Sequence, residues 1–123
     1  RELKRHFPGK PIVADMKIMD AGRAEVEAAA KAGATLVDVL GAASDSTIEE
    51  CIQAAKNYGA HIVVDLIAVK DPVERARQVE ALGADYISVH VAIDEQMRGR
   101  DPFAVLQAVS QAVRVTLKAC MPT

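Results

Sequence analysis

Tryptophan is absent from this 123-residue sequence, and aromatics of all kinds make up only 3% of it. Its hydrophobic half therefore rests on Ala and Val more than on rings, a composition of soluble globular chains. Neither sign of charge dominates. A formal net charge of −2 and an isoelectric point near 5.9 give no basic field for nucleic acid. Long apolar runs are missing: none approaches a membrane span, and the opening "RELKRHFPGK" lacks the apolar centre of a signal peptide. Two cysteines, Cys51 and Cys120, are too few for a disulfide framework. Cys51 shares a helical face with Ile48, Ile52 and Ala55, which makes it a small core residue rather than a reactive thiol. These absences point to a cytoplasmic protein and a single domain over residues 1–123, with no nucleic-acid or membrane partner.

What is present is a repeat. "KAGATLVDVLG" (31–41), "NYGAHIVVDLI" (57–67) and "ALGADYISVHV" (81–91) each join Gly-Ala to a β-branched apolar run. Their glycines, Gly33, Gly59 and Gly83, lie 26 and 24 residues apart. Glycine suits the left-handed turn that ends a helix, and an apolar run bounded by turns suits a buried parallel strand. Helical patterns lie between. "DSTIEECIQAAKN" opens on capping residues with Glu49 three after Ser46, while Asp71-Pro72 and Asp101-Pro102 each read as an N-cap followed by a first-turn proline.

The spacing predicts strands at 11–17, 35–40, 61–67 and 86–91, with a candidate last strand at 114–119. Helices are predicted at 23–32, 47–57, 72–82 and 102–113. Alternating strands and helices mean an α/β fold with a parallel sheet and right-handed crossovers. Two architectures fit: a (β/α)8 barrel, which needs ~200 residues or more, and a doubly wound five-stranded open sheet.

One strand carries unexpected charge. In "ADMKIMDAG" (14–22), Asp15, Lys17 and Asp20 fall within six positions. Residues two apart in a strand face the same way, so Val13, Asp15 and Lys17 should share a face, with Asp20 in the turn beyond. Asp38, Asp65 and His90 likewise come late in apolar runs, at the rim where parallel folds hold their sites. Any one of them reads equally well as a rim residue capping the next turn, and Asp38 is read that way. The set reads as a site. Asp15 can hold a hard cation such as Mg²⁺ through oxygen, Lys17 can donate to a substrate oxygen, and His90 or Asp65 can move protons beside a carbonyl. His6, in a leading helix, and His61, which starts its strand at the opposite rim, stand apart.

The Asp-x-Lys-x-x-Asp spacing of Asp15, Lys17 and Asp20 resembles the orotidine 5′-monophosphate decarboxylase suprafamily of (β/α)8 barrels. With "VLGAASDSTI" (39–48), "VDLIAVKDPVERA" (64–76), "LGADYISVH" (82–90) and "IDEQMRGRDPF" (93–103) in the same order, the chain is most similar to its 3-hexulose-6-phosphate synthase branch. The resemblance implies a partial (β/α)8 TIM barrel of about four βα units, with the barrel's first and last strands outside the chain. It implies Mg²⁺-dependent aldol addition of formaldehyde to D-ribulose 5-phosphate, giving D-arabino-hex-3-ulose 6-phosphate, or the reverse.

By family role, Asp15 would be a Mg²⁺ ligand, Lys17 would contact substrate, and Asp65 and His90 would act at the reacting carbons. Asp20 would enter the neighbouring subunit's site in a homodimer. The sister 3-keto-L-gulonate 6-phosphate decarboxylases carry Glu at the position of Asp65 and Arg at that of Ile93, which favours the synthase. The strands expected to carry the second metal carboxylate and the phosphate-binding glycines lie outside this sequence, and "HVAID" stands for the family's usual "HTGID". Two non-enzyme readings accompany this one: a half-barrel that assembles without catalysing, and a receiver-like signalling domain with Asp65 as phosphoacceptor and Lys118 as its cation.

Overall fold

The computed structural model describes residues 1–120, with the side chain of Cys120 outside the described set. A short helix α1 (Glu2–His6) leads into strand β1 (Val13–Ile18) and helix α2 (Gly22–Lys31). Then follow β2 (Leu36–Leu40), α3 (Asp45–Tyr58), β3 (His61–Asp65), α4 (Pro72–Leu82) and β4 (Tyr86–His90). A four-residue helix α5 (Ile93–Gln96), absent from the sequence reading, precedes α6 (Pro102–Ala112) and β5 (Thr116–Cys120).

All strand pairings are parallel, and the sheet order is β1-β2-β3-β4-β5. Each strand lies beside its successor, which is how the wall of a (β/α) barrel is laid down. A doubly wound sheet reverses its order near the middle. The open-sheet architecture and the receiver-like reading built on it therefore fall.

Alternation explains the core. Val37, Val39, Ile62, Val64, Ile87 and Val89 are buried against Val26, Ile48, Ile52, Val79 and Val109 of the helices. The intervening Asp38, Val63, Asp65, Ser88 and His90 belong to the other face of the sheet. That face would be the inside of a barrel. A period of two thus sends valine and isoleucine to the helices and polar groups to the interior.

The glycines behave as their spacing implies: Gly33, Gly59 and Gly83 have φ of 102°, 69° and 103°, a region open to glycine at little cost. Asp71 and Asp101 cap α4 and α6, accepting from the Glu74 and Phe103 N–H groups at 3.0 and 2.9 Å. Helix α3 differs from expectation. It starts at Asp45, two residues early, and its cap is Ser44, whose Oγ accepts from Thr47 N–H at 3.2 Å. Strand β3 stops at Asp65 rather than residue 67 because Asp65 Oδ1 accepts the Ile67 N–H at 2.8 Å and turns the chain.

The larger correction concerns β1. Ala14 pairs with Val37 and Ile18 with Val39, so four steps along β1 match two along β2. The strand bulges, and Lys17 sits within the bulge at φ 50°, left-handed for a non-glycine residue. Simple alternation of Val13, Asp15 and Lys17 on one face therefore does not hold across this segment. The chain then turns through Ala21, also left-handed at φ 52° and ψ 37°, into α2. Gly22 is required there: a Cβ would lie 2.6 Å from both Cys51 Sγ and the Thr47 carbonyl oxygen. Cys51 itself is fully buried, and burial pushes its thiol up to about 11, as fits a core residue.

Candidate active site

The bulge in β1 sets the geometry of the site. It lets the Lys17 side chain cross toward β2 and β3, where its ammonium meets three carboxylates. Nζ donates to Asp15 Oδ1 at 2.6 Å and forms ion pairs with Asp65 Oδ2 at 2.8 Å and Asp38 Oδ1 at 3.5 Å. Asp65 Oδ2 also lies 3.0 Å from His90 Nδ1. Four consecutive strands contribute to this one cluster. Asp15, Lys17, Asp65 and His90, singled out from sequence, are brought together.

The charges explain one another. Burial would pull the Lys17 amine down, but the carboxylates of Asp15, Asp65 and Asp38 outweigh it and hold the ammonium well above the ordinary lysine range. Burial pushes Asp65 up. The Lys17 ammonium, the His90 ring and the Ile67 N–H together overcome that, leaving its carboxyl below the usual range. An ionised Asp65 can only accept, so His90 Nδ1 is the donor in their bond. With Nδ1 donating, the tautomer that carries a lone pair on Nε2 is the one that can act as a base. The His90 side chain is 21% exposed, within reach of a ligand at the rim.

The sequence pattern reads Asp38 as a turn cap, and the structure corrects this. It is fully buried on the interior face of β2, and Lys17 is its only side-chain partner among the described residues. Its second oxygen, Oδ2, is buried with no hydrogen-bond partner, as is Ser88 Oγ. Burial, reinforced by the neighbouring Asp65 and Asp15 charges and opposed by Lys17, pushes the Asp38 carboxyl up to about 6. One signal could have found it. Asp38 interrupts the Val37–Val39 pair at the same period of two that puts Asp65 after Val64.

Asp20 stands apart from the cluster. It is exposed, its Oδ1 accepts the Ala21 N–H at 2.7 Å, and it lines a groove of about 470 Å³ with Arg23, Ser46, Thr47 and Glu50 between the starts of α2 and α3. His61 begins β3 at the far rim, its Nδ1 3.3 Å from Asp85 Oδ1, and His6 lies on α1. Neither joins the site, as expected.

Asp15 suits a magnesium ion: it offers hard oxygen, and its side chain is 58% exposed at the rim. Among the described residues no three His, Cys, Asp or Glu side chains converge as a cage. The fit is to an ion held by one carboxylate, with water or ligand oxygens completing its shell. No helix among the described residues is long and apolar enough to cross a membrane.

Comparison with known proteins bears on the family and the fold. The family model described as Orotidine 5′-phosphate decarboxylase / HUMPS family matches residues 1–121. The chain is 43% identical over 114 residues to 3-hexulose-6-phosphate synthase of Bacillus subtilis, covering 93% of this chain and 54% of the relative. It is 44% identical over 113 residues to the synthase of Mycobacterium gastri, covering 92% and 55%. The crystal structure of 3-hexulose-6-phosphate synthase from Salmonella typhimurium superposes with a TM-score of 0.90 at 39% identity, covering 98% of this chain and 57% of that one. The chain thus spans about half the length of the curated relatives it matches.

Proposed function

The chain belongs to the Orotidine 5′-phosphate decarboxylase / HUMPS family, and from that premise we propose that its protein is a cytoplasmic 3-hexulose-6-phosphate synthase. The reaction joins formaldehyde to D-ribulose 5-phosphate, forming D-arabino-hex-3-ulose 6-phosphate, and runs in reverse as a cleavage. The observation that carries this reading is the Lys17–Asp65–His90 relay, in which one aspartate oxygen meets both an ammonium and an imidazole N–H.

Each residue then has a chemical task. Asp65 holds the His90 ring through Nδ1, so that Nε2 faces the ligand as a base. His90 Nε2 takes a proton from C1 of the sugar phosphate, the carbon next to its C2 carbonyl. The C1–H electron pair enters the enediolate and forms the new bond to the formaldehyde carbon. The formaldehyde oxygen, now carrying the electron pair of its C=O π bond, recovers the proton from His90. Lys17 donates to the sugar oxygens that become negative, a preorganised charge in a site partly closed to water. Asp15 would hold Mg²⁺, which when bound supplies further positive charge beside those oxygens.

Asp20 has a separate role in this proposal. It belongs to a homodimer contact at the α2–α3 groove and reaches the neighbouring subunit's site. A direct test of the chemistry leaves formaldehyde out. With the whole protein, Mg²⁺ and D-ribulose 5-phosphate in deuterated water, one of the two C1 hydrogen signals should fade from the proton spectrum. Both C1 signals persisting at full intensity beside well-folded protein would count against the assignment.

A further inference from the structure

Asp38 has a charge and no visible task of its own. Asp65 is engaged by Lys17, His90 and the Ile67 N–H, whereas Asp38 has a single long contact, 3.5 Å from Oδ1 to the Lys17 ammonium. Its other oxygen is buried and unpartnered. A carboxylate kept for structure would have its lone pairs satisfied, because burying one unpaired is costly. Whatever Asp38 does is therefore done through Lys17.

The three carboxylates around that ammonium differ in one respect. Asp15 is the outer member, 58% exposed at the rim, with Lys17 as its one side-chain partner among the described residues. Asp38 and Asp65 are inner members, at 0% and 2%. If Asp15 were the sole strong partner, any cation or ligand that engaged it would release a flexible lysine from a left-handed backbone. The inner pair prevents this. Of the two, Asp65 divides its charge between Lys17 and His90.

We propose that Asp38 is a positioning residue for Lys17: the inner anchor that keeps the ammonium over the sheet when Asp15 turns to a cation or a substrate oxygen. This deepens the function proposed above and rests on its assignment of Asp15 and Lys17 to the ligand-facing rim. It extends the set of residues that define the site to one with no contact to substrate.

The test needs neither substrate nor metal. Lysine labelled with ¹³C at Cε reports the order of each lysine side chain by NMR relaxation, and Asp15→Asn imitates an Asp15 that has turned away. Lys17→Arg identifies the Lys17 signal by its loss. At one neutral pH, Asp15→Asn alone should leave Lys17 nearly as ordered as in the parent. Asp15→Asn with Asp38→Asn should lower its order by roughly half, toward that of exposed Lys56. Asp38→Val, of similar volume, replaces Asp38→Asn should that pair fail to fold.

A Lys17 already mobile in Asp15→Asn would overturn the proposal, since Asp38 would then not hold it. So would a Lys17 still ordered in the double variant, which would make Asp65 the anchor. Turnover of D-ribulose 5-phosphate is a separate reading. A protein without that activity leaves the lysine measurement intact, and a failed anchor leaves the proposed reaction intact.

Discussion

Lys17 and His90, which lie 73 positions apart in sequence, converge on a single atom: Asp65 Oδ2 is 2.8 Å from Nζ of the lysine and 3.0 Å from Nδ1 of the histidine. Asp65 therefore couples the candidate proton carrier to the candidate substrate-binding cation. It does so from the end of β3, where Gly41 N–H also donates to the Asp65 carbonyl oxygen at 2.7 Å and fixes the neighbouring loop.

Replacing Asp65 with Asn should keep the fold and remove the charge that orients His90. The amide can donate as well as accept, so the ring is no longer held with Nε2 as the base. The expected loss in kcat is roughly 10²- to 10⁴-fold, with a smaller change in KM. Steady-state kinetics of the whole protein check this. A rise in KM matched by an equal fall in kcat/KM at unchanged kcat would mean that Asp65 only binds ligand.

Asp38 should make stability depend on pH in an unusual direction. Its folded pKa is raised to about 6 from an ordinary 3.8, so the folded state binds the proton more tightly. Ionised Asp38 then destabilises the fold above about pH 6, and this cost disappears as the pH falls through 6 toward 3.8. Asp65 works in the opposite sense, since its carboxyl is lowered and its contribution is lost on acidification. The comparison of Asp38→Asn with the parent isolates the first effect. The variant should be more stable by about 1–3 kcal/mol at pH 7.5, and level with the parent near pH 4. Urea unfolding at the two pH values measures it, and a variant less stable at pH 7.5 would contradict the account.

Gly22→Ala reverses an ordinary expectation. Alanine in a helix is normally the better residue by roughly 0.5–1 kcal/mol. Here its Cβ would meet Cys51 Sγ and the Thr47 carbonyl oxygen at 2.6 Å, so helices α2 and α3 must move apart. A destabilisation of about 1–3 kcal/mol is expected from overpacking. Adding Cys51→Ala should recover only part of it, because the carbonyl contact is backbone. Chemical denaturation of the single and double variants is the check, and a neutral Gly22→Ala would show that the helices are not in close contact.

Much of this was legible in the residues, for identifiable reasons. Gly33, Gly59 and Gly83 announce helix ends because few other residues take a positive φ cheaply, and the runs after them announce buried strands. Asp65 and His90 were visible because each ends an apolar run. The bulge in β1 was not. Lys17 adopts a left-handed conformation without the glycine or asparagine that usually marks one, so period-two reasoning carried through a segment where the register slips. Asp38 is not legible locally, because a lone acid at a strand end is as often a cap as a site residue. Its burial follows from β2 lying between β1 and β3, a fact of topology rather than of local sequence. Ser44 rather than Ser46 caps α3, its Oγ accepting from the Thr47 N–H, because the helix starts two residues earlier than the sequence pattern implies.

The most direct measurement of the central claim follows carbon. D-ribulose 5-phosphate, ¹³C-labelled formaldehyde and Mg²⁺ are incubated with the whole protein, and ¹³C NMR follows the label with and without EDTA. The account predicts metal-dependent transfer of the label into C1 of D-arabino-hex-3-ulose 6-phosphate, abolished by His90→Ala. A label that stays in formaldehyde while the protein is folded and holds its sugar phosphate would contradict it.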